Sequence, residues 1–131
     1  MKVLICDDDK CIVDEIKNNL NTFSDKHRIV FDIDLFYNGV ELLNSNISYD
    51  MAFIDIEMPL VNGLTLSAQL KKVNSNIIIF IITSHDAYLD DAMDLDVFRY
   101  LSKPIDKDRF FRALNTAINY YHSNTQIITL E

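Results

Sequence analysis

The chain has 131 residues, 49% of them hydrophobic and 24% charged, with a formal net charge of −8 from 12 Lys and Arg against 20 Asp and Glu. That size and apolar fraction suit one globular domain with its own core, and the acidic balance excludes a chain that grips a nucleic-acid backbone by itself, because such binding neutralises phosphates with Lys and Arg. No apolar run nears the roughly 18 residues of a membrane span, and the N-terminus meets Asp7 too early for a signal peptide, so a soluble cytoplasmic protein without membrane contact is expected.

Strand-like and helix-like runs alternate from end to end, the pattern of βαβ units around a parallel sheet. The first strand, β1, spans 3–6 as a continuous apolar run. Cys6 and Cys11 are the only cysteines; their spacing matches neither a C-x-x-C pair nor a zinc site, and both are expected to be reduced packing residues. Asp9 suits the N-cap of a helix α1, whose Ile12, Ile16, Leu20 and Phe23 recur at three- and four-residue steps. Strand β2 (29–36) alternates, with Phe31, Ile33 and Leu35 on one face and Asp32 and Asp34 on the other, as in an edge strand. Asp32-Ile33-Asp34 superficially resembles a D-x-D phosphatase motif, but its period of two reads as an exposed strand face.

A weaker helix α2 fits 40–43. Strand β3 (51–54) and strand β4 (77–82) are again continuous apolar runs; together with β1 they should form the interior of the sheet, covered on both faces. Helices α3 (64–72) and α4 (88–95) fit between and after them, each preceded by residues that turn or cap the chain. Strand β5 (97–101) is short, interrupted by Arg99, and suits the other edge. Phe111, Leu114, Ile118 and Tyr121 define an amphipathic α5. Residues 126–131 read as the start of another strand or as a linker.

Parallel α/β sheets gather functional groups where the strands' C-terminal ends meet their loops. There the sequence places Asp7 and Asp8 after β1, Asp55 at the end of β3, Thr83 and Ser84 at the end of β4, and Lys103 after β5. Carboxylates about 4 Å apart repel by roughly 1–4 kcal/mol per pair, depending on the effective dielectric. A divalent cation relieves that repulsion, and an all-oxygen donor set without His or thiolate favours Mg²⁺. One of the carboxylates is then placed to act as a nucleophile toward phosphorus. Lys103 and Thr83 supply the ammonium and hydroxyl that phosphoryl transfer uses to neutralise its equatorial oxygens. His27, His85 and His122 show no ligand or triad spacing.

Taken together, Ile5-Cys6-Asp7-Asp8-Asp9, Phe53-Ile54-Asp55-Ile56-Glu57-Met58-Pro59 with Asn62-Gly63, Ile82-Thr83-Ser84 and Tyr100-Leu101-Ser102-Lys103-Pro104 resemble the receiver domains of two-component response regulators. The resemblance covers residues 1–122, with 123–131 as a linker or the start of a missing output domain. It implies a flavodoxin-like (βα)5 three-layer sandwich whose parallel sheet runs 2-1-3-4-5. It also implies roles: Asp55 as phosphoacceptor; Asp7, Asp8, Asp55 and the backbone carbonyl of Glu57 around Mg²⁺; Lys103 and Thr83 on phosphoryl oxygens; Tyr100 as the switch aromatic; and a cis Lys103–Pro104 bond.

The wording around Asp55, Thr83-Ser84-His85-Asp86 and Lys103 is similar to receivers that precede LytTR-type DNA-binding domains. The resemblance therefore implies a transcription regulator that is phosphorylated by a sensor histidine kinase and contacts DNA only through the missing output domain. No enzyme activity is implied beyond self-catalysed phosphotransfer to Asp55 and autodephosphorylation. The readout surface would be the α4–β5–α5 face, where Asp90, Asp91 and Asp94 lie near Arg99, Lys107 and Arg109, as charge pairs setting a homodimer or as an ordinary solvated face. Glu57 and His85 would flank the site, tuning the phosphate's lifetime or lying on its rim without effect.

The alternatives are a stand-alone receiver acting through protein contacts, a receiver-like scaffold that is never phosphorylated, and a Mg²⁺-dependent phosphatase using Asp55. One departure is Leu95-Asp96-Val97, which lacks the small residue, often Gly, that the family commonly carries before β5. A positive-φ turn there falls to Asp, which tolerates it better than most.

Overall fold

The computed structural model describes residues 1–84 and 96–130, with side chains described as far as residue 124. Continuous apolar runs become β1 (Lys2–Cys6), β3 (Met51–Ile54) and β4 (Ile78–Thr83), flanked by β2 (Asp32–Phe36) and β5 (Arg99–Ser102). All neighbours pair in parallel and the order is β2-β1-β3-β4-β5, the flavodoxin-like arrangement expected. The expected helix α4 lies outside the described residues.

Because successive strand residues face opposite sides, the sheet divides its apolar side chains between two cores. Val3, Ile5, Met51, Phe53, Ile78, Phe80 and Ile82 face α1 (Lys10–His27) and α5 (Lys107–Leu130). Leu4, Cys6, Ala52, Ile54, Ile79 and Ile81 face α2 (Val40–Leu43) and α3 (Gly63–Val73). Three layers result. On the first face Phe53 stacks on Phe80 with ring centroids 4.7 Å apart and on Phe110 at 5.5 Å, tying α5 to the middle of the sheet.

Helix α1 begins where Asp9, in an extended conformation, accepts a hydrogen bond from the Cys11 amide at 2.9 Å. It ends where Arg28 turns left-handed at φ 55° and returns its amide to the Ser24 carbonyl. Asp9→Ala should therefore cost about 1 kcal/mol in urea unfolding, and Asp9→Asn much less, because Asn keeps the capping oxygen. Equal losses in the two variants would show that the cap is not what Asp9 contributes.

Three boundaries differ from the sequence expectation by two residues or more. Strand β2 starts at Asp32, because the Arg28 turn delivers Ile29 and Val30 outside the ladder, although Ile29 and Phe31 still pack on the core. Strand β5 starts at Arg99, after Asp96 takes φ 57°. That is the left-handed turn the missing glycine would have made, and Lys71 Nζ lies 3.8 Å from the exposed Asp96 carboxylate. Residues 126–130 continue α5 instead of opening a strand. Continuing the helix gives each amide an acceptor one turn back, whereas a strand would need a neighbouring edge.

Asp32 and Asp34 sit at the N-terminal half of β2, in register with Lys2 and Leu4, away from the acidic rim. Their roles are structural: Asp34 accepts a hydrogen bond from the buried Tyr49 hydroxyl at 2.7 Å, and exposed Asp32 lies 3.8 Å from Lys2 Nζ. Burial, and then the Asp34 carboxylate, push the Tyr49 phenol well above its ordinary value. Among the described residues no helix is long and apolar enough to cross a membrane.

Candidate metal and phosphoryl site

Strand register builds the site. Cys6 pairs with Ile54, so the next residues, Asp7 and Asp55, leave β1 and β3 side by side. Their backbones stay anchored, the Asp55 amide donating to the Cys6 carbonyl at 3.1 Å and the Asp7 amide to the Phe36 carbonyl at 3.2 Å. Asp7 is 2% and Asp55 6% exposed, whereas Asp8 is open to solvent. One carboxylate oxygen from each of the three lies within 4.8 Å of the others.

Lys103 reaches this cluster from the loop after β5. Thr83 pairs with Ser102 across β4 and β5, and the Lys103 amide donates to the Thr83 carbonyl at 3.0 Å. Its ammonium then stands 2.8 Å from Asp7 Oδ2 and 3.3 Å from Asp55 Oδ2. The Lys103–Pro104 bond is cis, as the resemblance implied. Thr83 is fully buried, Tyr100 is half-buried against the α3-side core, and the Glu57 side chain is exposed. His85 lies outside the described residues, as do Asp90, Asp91 and Asp94.

The electrostatics are those of a charge cluster short of cations. Burial raises the Asp7 carboxyl above its ordinary value, a shift only partly opposed by Lys103 and by the Asp9 amide, which donates to Asp7 Oδ1 at 2.9 Å. Burial works to lower the Lys103 ammonium, but hydrogen bonding and charge from Asp7, with Asp55 adding to them, raise it on balance. Asp55 Oδ1 is buried with no hydrogen-bond partner among the described residues. A buried carboxylate oxygen without a donor is costly, and here it belongs to an all-oxygen set, the donor chemistry that a hard divalent cation prefers.

The loop between β3 and α3 seats the backbone that follows Asp55. The Gly63 amide donates to the Ile56 carbonyl at 2.8 Å, and Asn62 caps α3 by accepting from the Leu64 amide at 2.7 Å. Between these anchors Leu60 takes φ 74° and is 88% exposed, while the Val61 amide closes back on Pro59 at 2.8 Å. Beneath the loop the Cys6 thiol donates to Met58 Sδ at 3.6 Å. This sulfur contact joins the roots of the two loops that carry Asp7 and Asp55, and nothing in the spacing of the sequence announces it.

The two cysteines diverge from the expectation of two packing residues. Cys6 is fully buried, and burial, then the charges of Asp7, Asp55 and Asp8, push its thiol up to about 12. Cys11 is exposed at the start of α1, where Val13 and Ile16 take the buried face. A thiol reagent should therefore label one cysteine in the folded protein and two in denaturant. Two reactive thiols under native conditions would show that the Cys6 environment is open.

The sequence profile of the response regulator receiver domain matches residues 3–115. The chain belongs to this family. The receiver is 28% identical over 127 residues to the sensory transduction protein LytR of Staphylococcus haemolyticus, covering 97% of this chain and 49% of that protein. It is 31% identical over 114 residues to the sensory transduction protein LytT of Bacillus anthracis, covering 87% and 46%. It thus spans about half the length of these curated relatives, whose names agree with the LytTR-type resemblance in the motif wording. The response regulator TrrA from Thermotoga maritima, solved in complex with Mg²⁺ and BeF, superimposes with a TM-score of 0.74 over 88% of this chain and 97% of that one, at 24% identity. That likeness shows the shared fold.

Proposed function

We propose that this receiver accepts a phosphoryl group on Asp55 from a sensor histidine kinase, or from a small acyl phosphate, and thereby switches a DNA-binding output domain in the intact regulator. The observation that carries the reading is the buried Oδ1 of Asp55, which finds no hydrogen-bond partner among the described residues, beside a Lys103 ammonium already shared between two carboxylates.

Asp7, Asp8 and Asp55, with the backbone carbonyl of Glu57, would hold Mg²⁺. When bound, the ion neutralises the carboxylates and the equatorial phosphoryl oxygens. Asp55 supplies the attacking oxygen: its bond to phosphorus forms as the donor's bond breaks, and water later reverses the modification by hydrolysing the acyl phosphate. Lys103 is placed to leave Asp55 for a phosphoryl oxygen without leaving Asp7. Thr83, at the end of β4, supplies a hydroxyl for another. Phosphorylation adds up to about two negative charges at a site already acidic, so Thr83 and Lys103 must move in to stabilise it. That movement, with Tyr100 turning inward, biases a two-state equilibrium of the α4–β5–α5 face, which would pair two copies or contact the output domain. The receiver portion would end near residue 122, the rest of α5 leading toward the output domain.

Intact mass after incubation with acetyl phosphate and Mg²⁺ tests the chemistry. The wild type should gain one phosphoryl adduct, and the gain should vanish in Asp55→Asn and without Mg²⁺. Absence of an adduct under every condition would leave the unphosphorylated scaffold as the better description. Turnover of phosphate esters in excess of the protein would favour a phosphatase.

A further inference from the structure

We propose that Met58 is a peroxide-sensitive modification site, whose thioether oxidises to the sulfoxide and so loosens the link between the loops carrying Asp7 and Asp55. The effect on metal binding rests on the Mg²⁺ reading above; the site of oxidation does not.

Access and position support the assignment. Met58 is half-buried and lines an open cleft with Ile56, Glu57, Pro59 and Asn62, so a small oxidant can reach it. Met51 is fully buried in β3, and the neighbouring sulfur, Cys6, is also fully buried. Met58 further packs on the core between the sheet and α3, and its sulfur accepts from the Cys6 thiol directly beneath the acidic site. Asp7 follows Cys6 at once, and Asp55 lies three residues before Met58.

The step balances with hydrogen peroxide as oxidant. The Met58 sulfur attacks one peroxide oxygen, the O–O bond breaks as the S–O bond forms, and the second oxygen leaves as water after taking the proton of the first. Sulfur is oxidised by two electrons and peroxide is reduced. The product replaces a weak acceptor with a strong, polar and chiral one in a partly apolar seat. To keep its contacts the sulfoxide oxygen must either accept from the Cys6 thiol or turn to solvent, and both displace the loop that follows Asp55.

The experiment uses a Cys11→Ser background, which removes the exposed thiol, and compares it with the same background carrying Met58→Leu. Each is treated with graded hydrogen peroxide, digested and mapped by mass, and the oxidised protein is titrated with Mg²⁺ by calorimetry and thermal melting. Met58 should oxidise well before Met51, and Mg²⁺ binding should weaken by about tenfold, at the lower end of the cost of losing outer-shell support. The Met58→Leu protein should keep its Mg²⁺ affinity through the same treatment. Met58 oxidising no faster than Met51 would overturn the site. Complete Met58 sulfoxide with an unchanged melting midpoint would overturn the loosening. An untreated protein that takes up no Mg²⁺ would instead count against the metal reading, leaving the mapping and melting results to decide the modification.

Discussion

Gly63→Ala should lower the stability of this receiver by about 3 kcal/mol or more in urea unfolding, among the largest effects of any single methyl group in the chain. A Cβ at Gly63 would stand 2.0 Å from the Asp55 carbonyl oxygen, 2.8 Å from its carbon and 2.9 Å from Ile56 Cα. All three are backbone atoms, so no side chain can swing aside. The start of α3 would have to back away from the end of β3, breaking the 2.8 Å bond from the Gly63 amide to the Ile56 carbonyl and withdrawing support from the peptide that presents Asp55. Gly39→Ala is the natural control. Its Cβ would meet the Val61 side chain at 3.1 Å, and a side chain can yield by a few tenths of an ångström, so the loss there should stay below about 1 kcal/mol. Equal stabilities for the two alanine variants would mean that the helix and strand are not locked at Gly63.

Gly63 also shows what a sequence can and cannot say about such a site. The residue was visible as part of the Asn62-Gly63 pair, but the need for glycine was not, because it arises from helix–strand proximity and not from the local φ. Asp7 and Asp55 were legible because parallel strands put their C-terminal ends on one rim whatever lies between them. The two-sided burial of β1, β3 and β4 was legible because nothing polar interrupts their cores. Asp9 announced itself as a cap by position. The Cys6–Met58 contact was silent, since its partners are 52 positions apart and packing alone brings them together. The same holds for the start of β2: Ile29, Val30 and Phe31 have strand character, but the left-handed turn at Arg28 sets where the ladder begins. Local propensity named the elements, and tertiary contacts chose their ends.

Lys103→Met should cost about 3–5 kcal/mol at pH 7 without Mg²⁺, because it removes the ammonium standing between two buried carboxylates while keeping most of the aliphatic stem. The pH dependence identifies the cause. Asp7 already has a folded-state carboxyl raised above its ordinary value by burial, with Lys103 the first of the influences holding it down. A raised acid favours the folded state while protonated in both forms, and that contribution is lost as pH climbs through the folded value. Removing Lys103 moves the folded value higher still and widens the window. The variant should therefore regain stability as pH falls from 7 toward 5 and the raised Asp7 carboxyl takes up its proton. Mg²⁺ should restore stability at pH 7 by replacing the missing cation, and should do so more strongly in the variant than in the wild type, where Lys103 already neutralises part of the cluster. Urea midpoints at the two pH values, with and without Mg²⁺, separate the cases. A loss that is the same at both pH values and unaffected by Mg²⁺ would assign Lys103 a packing role and remove the charge-cluster account of the site.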